Sequence, residues 1–508
     1  MGHGLVPILS FIVYAVAIAL LALFGLHRYR ILRLYHRVRN RSIESGPLPD
    51  PLPRVTVQLP IYNERYVVER LLDAVARLRY PRRLLQIQVL DDSTDATLEI
   101  SRAHAERLRR RGFDIEVLHR EDRTGFKAGA LARGLHLASG EYVAIFDADF
   151  LPEPDFLLKT LGHFGDPRVG MVQVRWGHIN RNYSLLTRLQ AIFLDGHFVL
   201  EHTARHRTGH FFNFNGTAGI WRKSCIEEAG GWEHDTLTED LDLSYRAQLC
   251  GWRFVYLPDV VSPAEVPVEM NAFKTQQHRW AKGSIQTSRK LLPRIWRAPL
   301  PLRVKLEATF HLTNNLAYLF MMVPALLILP LLMAKFFVAW YVLFAVYFTA
   351  FFATTASIAV YYLVSQREIH GDWKPSLRLI PALMSLGIGL SVNNARAVID
   401  ALLDRRSGFE RTPKFGVSSS GESIRGRIYS GLRHPTAYLE LLLGLYFAAA
   451  LAYAVKVGFY GAVPFILIFL LGFLTVGLLS VLESRRRTVM AASWTVPLLA
   501  LAVSITLL

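Results

Sequence analysis

Tyr142-Val143-Ala144-Ile145-Phe146-Asp147-Ala148-Asp149-Phe150 runs five apolar residues into two carboxylates one residue apart. An apolar run this short, bounded by polar residues, reads as a strand buried on both faces. Val55-Thr56-Val57-Gln58-Leu59, Gln86-Ile87-Gln88-Val89-Leu90 and Met171-Val172-Gln173-Val174 read the same way. Helical patterns lie between them, over Glu64–Leu78 after Asn63, Thr94–Arg111 after Ser93, and Lys127–Ala138. Strand–helix alternation at this spacing predicts a parallel α/β sheet, with ligands bound beyond the carboxyl ends of the strands. Asn63 and Glu64, Asp91 and Asp92, and Asp147 and Asp149 all fall there, so three polar clusters predict one site.

The rest of the chain is of another kind. Its 508 residues are 52% apolar, and the apolar residues are clustered. Gly4–Leu26 carries no charge and is long enough to cross a bilayer; with no basic residues before it and no small-residue cleavage site, it reads as a retained span. The expected organisation is a span over 1–27, a basic cytoplasmic linker over 28–50, a soluble domain over 51–297, and a multi-pass α-helical membrane domain over 307–508. Spans are expected near 308–333, 336–364, 437–457, 459–482 and 489–508. The segment 379–403 is long enough to span, but Asn393, Arg396, Asp400 and Asp404 lie on one helical face, and it is expected flat at the interface, followed by a loop over 404–435. Phe337, Trp340, Tyr341, Phe344, Tyr347, Phe348, Phe351 and Phe352 recur at helical spacing in one span, where they either line a sugar channel or pack against lipid and helices.

The net charge of +17 does not describe a nucleic-acid binder. Arg28, Arg30, Arg33, Arg37, Arg39 and Arg41 follow the first span, and Arg485, Arg486 and Arg487 sit between the last two. Basic residues against span ends are the positive-inside pattern and put these regions, and the soluble domain with them, in the cytoplasm. The membrane is then the plasma or inner membrane of a bacterium, or the Golgi of a eukaryote. Cys225 and Cys250 fall in that cytoplasmic domain and read as two core residues rather than a disulfide.

Asp147 and Asp149 at a strand end can share one divalent cation with phosphate oxygens, and hard cations such as Mg²⁺ or Mn²⁺ favour that mixed shell. In Asp91-Asp92-Ser93-Thr94-Asp95, Ser93 or Asp95 suffices to cap the next helix. One carboxylate is then surplus, for a ribose hydroxyl or a base edge. Tyr62 stacks on a base or belongs to the core; Glu64 ends the first strand beside it. Lys127, in Thr124-Gly125-Phe126-Lys127-Ala128-Gly129, suits a phosphate contact or is solvated. Thr238-Glu239-Asp240 precedes a helical stretch, so Glu239 and Asp240 either cap that helix or handle a proton, Asp240 being the candidate base. In Gln276-Gln277-His278-Arg279-Trp280, Trp280 stacks on an acceptor sugar while Arg279 meets a diphosphate, or the pair anchors the helix at headgroup depth.

Asp92, Asp-Ala-Asp, Thr-Glu-Asp and Gln-x-x-Arg-Trp in this order resemble the membrane-bound family 2 glycosyltransferases, the processive cellulose-synthase-like group in particular. Phe214-Asn215-Gly216-Thr217-Ala218-Gly219-Ile220-Trp221-Arg222 and Gln276–Trp280 are similar to the plant mannan and xyloglucan-backbone synthases of that group. The resemblance covers roughly 54–416. It implies a GT-A fold and a nucleotide-sugar donor held by Tyr62, Glu64, Asp91, Asp92, Lys127 and Asp147. It further implies Mg²⁺ or Mn²⁺ on Asp147 and Asp149, inversion with Asp240 as base, and Gln276, Arg279 and Trp280 at the acceptor end. Phe409-Glu410-Arg411-Thr412-Pro413-Lys414 is similar to the gating loop of the cellulose synthases, with Arg411 where that loop has Val. The expected function is extension of a β-1,4-glucan or mannan from UDP-glucose or GDP-mannose. The alternatives are single-sugar transfer to a ceramide or diacylglycerol and, more distantly, an inactive nucleotide-binding membrane protein.

Overall fold

The computed structural model describes residues 5–43, 45–333, 351–405, 408, 410–419, 421–422, 424 and 436–485. Among these, one sheet holds β1 (Val55–Ile61), β2 (Leu85–Asp91), β3 (Asp114–His119), β4 (Tyr142–Ile145), β5 (Val169–His178), β6 (Gly219–Arg222) and β7 (Arg253–Ala264). The spatial order is β3-β2-β1-β4-β6-β5-β7. The four strands expected from the sequence are β1, β2, β4 and β5. The expectation of a parallel sheet holds for β1 to β4, but β6 runs antiparallel to both β4 and β5, so the sheet is mixed. β7 returns parallel to β5.

Each strand of the parallel half shows a different face to each side. Val55, Val57, Leu59 and Ile61 of β1 join Ile87, Val89, Phe146 and Phe156 in one apolar core. On the other face Thr56 donates to Gln86 at 2.8 Å and Gln58 to Gln88 at 3.0 Å, a side-chain ladder across the two strands. The helix Phe126–Leu137 lies on that ladder, and Gly134 lets it approach, since a Cβ there would come within 2.6 Å of the Gln58 amide nitrogen.

The first helix runs Leu5–Val38, through about half of the region expected as a linker. Arginine is a good helix former and nothing breaks the chain after Leu26. Ile31, Leu32 and Tyr35 pack against Val199, Leu200 and Tyr361 and hold the extension in place. Among the described residues, four helices are long and apolar enough to cross a membrane: Ile8–Val38, Leu316–Met333, Ala437–Lys456 and Tyr460–Ser484. The span expected near 308–333 is shorter, because the chain breaks at Asn314-Asn315 into Leu302–Thr313 and Leu316–Met333. The segment 379–403 is not one flat helix: Ile380–Gly389 and Ser391–Leu402 meet at 42°, and counted together they make a fifth candidate span. Part of its polar face is buried, with Asn393 donating to the Lys274 carbonyl, while Arg396 and Asp404 are exposed. The span expected at 489–508, the aromatic series Phe337 to Phe348, and Phe409 lie outside the described residues.

One helix, Met270–Arg297, joins the two parts. Glu483 accepts from the Met270 and Asn271 N–H groups at 2.7 and 2.8 Å, capping that helix from another one. Lys274, fully buried, donates to Glu440 at 2.8 Å and to Ser480 at 3.2 Å. Breaking such a pair from one side leaves an uncompensated buried charge. Glu440→Ala is expected to lower stability by about 3–5 kcal/mol, and Lys274→Met combined with Glu440→Leu to recover most of it. Thermal unfolding of the detergent-solubilised chain measures both; equal losses in the single and double variants would refute the ion pair as the cause.

Candidate active site

The strands deliver their carboxyl ends to one cavity. Tyr62 and Glu64 follow β1, Asp92 follows β2, and Asp147 and Asp149 follow β4; all five line it. Lys127 arrives from the start of the helix after β3, Glu239 and Asp240 from the first turn of the helix Glu239–Leu249, and Gln276, Arg279 and Trp280 from Met270–Arg297. Of the residues singled out at the strand ends, Asp91 and Asn63 do not line it; Asn63 pairs with Thr94 and Ser93, and Asp91 is held apart. It is fully buried, accepting from the Ser93 N–H at 2.9 Å and the Ser93 hydroxyl at 3.0 Å, with His119 at 3.0 Å. Its carboxylate orders the turn after β2 and does not face the cavity. Asp95, not Ser93, serves the next helix, accepting the Thr97 N–H.

Each remaining acid has a specific environment. Asp92 accepts two hydrogen bonds from Arg120, at 2.7 and 2.5 Å. Asp147 accepts from Lys127 at 2.6 Å, and its N–H donates to Thr217. Lys127 also donates to the Gly216 carbonyl at 2.9 Å. Burial works against the Lys127 ammonium, but Asp147 and Glu239 outweigh it and hold its pKa above the usual value. Asp149 is 1% exposed and accepts from the Glu265 N–H at 3.1 Å and from Lys414 at 2.6 Å. Glu64 accepts twice from Arg411, at 2.8 and 2.6 Å; burial nonetheless raises its pKa to about 7.

Asp240 differs from all of these. Among the described residues its carboxylate has one hydrogen bond, from the Leu241 N–H at 2.8 Å, and no ion pair. Burial and then the charge of Glu239 push its pKa up to about 7, against the pull of Lys127 and Arg279. Gly216 makes room for it: at φ +82° a Cβ would sit 2.9 Å from Asp240 Oδ2. Burial lowers the pKa of Arg279, while Glu239, Asp147 and Asp240 act to raise it.

Several lining residues escaped the sequence reading. Asn215 and Gly216 were visible only inside a motif of likeness. Arg123 stands four residues before the lysine that drew attention, with its guanidinium 3.4 Å over the Tyr62 ring centroid. Arg411 was noted as a departure from a loop pattern; with Thr412 and Lys414 it lines the cavity. The residues at Asp147 and Asp149 fit a hard divalent cation. Both are carboxylates facing one cavity, and each holds an ammonium nitrogen at 2.6 Å, the side-chain counterpart of the positive charge such an ion supplies.

Residues 53–283 match the family described as Glycosyltransferase like family 2. Glucomannan 4-beta-mannosyltransferase 1 of Oryza sativa subsp. japonica is 44% identical over 280 residues, 52% of this chain and 53% of the relative. Glucomannan 4-beta-mannosyltransferase 2 of Arabidopsis thaliana is 42% identical over 279 residues, 53% and 52% of the two chains. The chain thus spans about half the length of the curated relatives it matches. Among solved structures, the mannosyltransferase PcManGT from Pyrobaculum calidifontis, in complex with GDP-Man and Mn²⁺, superposes with a TM-score of 0.53 at 23% identity, covering 77% of this chain and 99% of that one. That likeness is one of fold, the GT-A arrangement of the sheet and its helices. The chain is therefore similar over residues 53–283 to the family 2 glycosyltransferases, and over about half its length to plant glucomannan 4-beta-mannosyltransferases.

Proposed function

We propose that this cavity transfers a hexosyl unit from a nucleotide sugar to the end of a growing β-linked polysaccharide, with inversion at the anomeric carbon. Mannosyl transfer from GDP-mannose is the first form to test, since the relatives at 42–44% identity carry the name of mannosyltransferases. The observation that carries the reading is Asp240: a buried carboxylate with no ion-pair partner among the described residues, raised to a pKa of about 7, between Lys127 and Arg279. A general base works best with a pKa near the working pH. Asp240 takes the proton of the acceptor hydroxyl as its oxygen forms the new bond to the anomeric carbon. The bond to the diphosphate breaks on the opposite side, and the nucleoside diphosphate leaves with the electron pair. Lys127 and Arg279 stand where that negative charge grows. Asp147 and Asp149 would hold Mg²⁺ or Mn²⁺, which supplies Lewis-acid stabilisation of the leaving diphosphate when bound. Gln276 and Trp280, on the helix that docks into the bundle, place the acceptor, and the ring of Trp280 offers a sugar a flat apolar face. The donor enters from the cytoplasm, and the polymer leaves toward the bilayer.

Asp240→Asn is expected to lower kcat by about 10²–10⁴-fold while leaving nucleotide affinity near wild type, read from initial rates and calorimetry on purified membranes. A near wild-type rate would remove Asp240 as the base. Because its folded pKa lies above the ordinary aspartate value, the group is protonated and inactive below about pH 7 and ionised above it. Transfer should therefore rise with pH through about 7 and then level off; a rate independent of pH from 5 to 8 would contradict the assignment. Exhaustive chelation is expected to abolish transfer and added Mn²⁺ or Mg²⁺ to restore it. In the same assay, labelled product retained as high-mass polymer supports the synthase, and product migrating as a lipid refutes the polysaccharide acceptor.

A further inference from the structure

Lys127 and Asp240 both rest on one short segment, Asn215-Gly216-Thr217. Thr217 Oγ1 accepts the Asp147 N–H at 2.9 Å, the Gly216 carbonyl accepts from Lys127 at 2.9 Å, and Gly216 has no Cβ where Asp240 stands. A shift of this segment therefore displaces Lys127, Asp147 and Asp240 relative to one another. Gln173 ties its backbone, accepting the Asn215 N–H at 3.0 Å and donating to the Thr217 carbonyl at 3.1 Å. The Asn215 side chain is taken by two histidines. His202 Nε2 stands 2.5 Å from Oδ1, and His197 Nε2 3.0 Å from Nδ2.

These two histidines meet because of an irregular turn. Leu185–Asp195 and Thr203–Arg207 are α-helical, and Gly196–His202 between them is a π-helix. Residues five apart on an α-helix point about 140° away from one another. Where hydrogen bonds close between residues five apart, as in a π-helix, the two come to one side. The His197 and His202 rings accordingly lie 4.4 Å apart. Such turns are rare, and inside an α-helix they frequently mark a functional site. This one is held from outside the sheet: Tyr361, on the helix Ser357–His370, donates to the Gly196 carbonyl at 2.8 Å. A Cβ on Gly196 would come within 2.6 Å of the Tyr361 ring.

One carboxylate sets the order of protons along the chain. Burial works against the Glu201 carboxylate, but Arg205 and the hydrogen bond from His197 outweigh it and hold its pKa well below the usual value. An ionised carboxylate only accepts, so His197 Nδ1, 3.1 Å away, carries a proton. His197 Nε2 then takes an N–H of Asn215, and the Asn215 carbonyl takes the proton of His202 Nε2. Burial holds the His202 pKa well below the usual histidine value, so that ring has a single proton to place. His202 Nδ1 is buried without a partner. The reverse orientation of the amide would put the proton there, and a buried orphan N–H is the rarer and costlier arrangement. At the far end Arg205 binds Glu201 at 2.9 Å and Glu307 at 3.1 Å, and Glu307 accepts from Arg30 of the first helix at 2.7 Å.

We infer that His197 and His202 are positioning residues for the transfer, fixing through the Asn215 amide the segment that sets Lys127 and Asp240 in place. Neither histidine lines the cavity, and neither belongs to a motif singled out in the sequence. They act at one remove: the π-turn orients both rings, the rings orient one amide, and the amide fixes the backbone on which a cation and a base depend. The inference rests on the transferase reading of the cavity and adds the device that aligns its groups.

The test is steady-state transfer by the full chain in nanodiscs, with whichever of GDP-mannose and UDP-glucose wild type uses. His202→Ala is expected to lower kcat by about 100-fold, the cost of misplacing a reacting group by about 1 Å, with KM for the donor near wild type. His202→Gln puts an amide N–H where Nε2–H stands and should recover most of the rate. A cycle with Asn215→Ala separates alignment from general loosening: a histidine that acts through Asn215 makes the double variant no slower than Asn215→Ala alone. Additive losses overturn the inference. So does a raised KM with kcat unchanged, or a loss that His202→Gln does not recover. If His202→Ala lowers the melting temperature, the cycle is run on His197→Ala with His197→Gln as the rescue, and the same pattern is expected. Near wild-type rates in both alanine variants overturn the inference and leave the transferase reading standing, whereas wild type that transfers from neither donor takes down both.

Discussion

Seven carboxylates surround one cavity: Glu64, Asp92, Asp147, Asp149, Glu239, Asp240 and Glu265. Gathering that much negative charge out of water is the constraint that the rest of the structure answers, because each ion taken from water costs several kcal/mol unless matched. The answers come from every part of the chain. Arg120 holds Asp92, Lys127 holds Asp147, Arg70 holds Glu265 at 2.5 Å, and Arg411 and Lys414 hold Glu64 and Asp149. Asp240 is left with only a backbone N–H, and so its pKa climbs. Burial and the charge of Glu239 leave this carboxyl able to exchange a proton near neutrality.

The helix Met270–Arg297 carries that arrangement to the membrane bundle. One end is tied by Lys274 to Glu440 and capped by Glu483. Further along, Gly283 packs on Thr238, where a Cβ would come within 2.5 Å of the Thr238 methyl, and Gln286 accepts the Leu237 N–H at 3.0 Å. Lys290 then binds Glu233 and Asp235. The Thr-Glu-Asp segment is therefore gripped by the helix that also presents Gln276, Arg279 and Trp280. Asp240 and the Gln276–Trp280 segment are fixed relative to one another by one helix, and both are fixed relative to the bundle.

What the sequence reveals about this site follows the range of the interactions. Asp147, Asp149, Asp92 and Glu64 were legible because an apolar strand followed by an acid is a local signal, written within ten residues. The strands that escaped notice lack such a signal. β6 is four residues long and begins with a glycine; β7 contains Pro258 and Pro263 and pairs through an irregular register. β3 sits at the sheet edge and alternates, as an edge strand facing water on one side does. Asp91 shows the opposite failure. Its local pattern is that of a ligand residue, and only the fold brings His119 against it, from the neighbouring strand. In 379–403, likewise, Asn393 finds a partner in the Lys274 carbonyl that no pattern within the segment announces.

The pairing of Arg411 with Glu64 spans 347 residues, and that of Lys414 with Asp149 spans 265. Glu265 joins them, accepting the Gly416 N–H at 3.0 Å. Three carboxylates of the cavity thus take their counter-charge or hydrogen bonds from one loop that follows the bent pair Ile380–Gly389 and Ser391–Leu402. That pair packs in turn on membrane-bundle helices, Gly389 lying so close to Gly472 that a Cβ would fall 2.4 Å from its carbonyl. A domain ending near residue 297 keeps the whole sheet and every one of the seven acids, but leaves Glu64 and Asp149 buried without their cations. The charge balance of the site is completed only when the helices beyond it have brought the loop back. The electrostatics of the cavity and the assembly of the helices beyond it are consequently one folding problem.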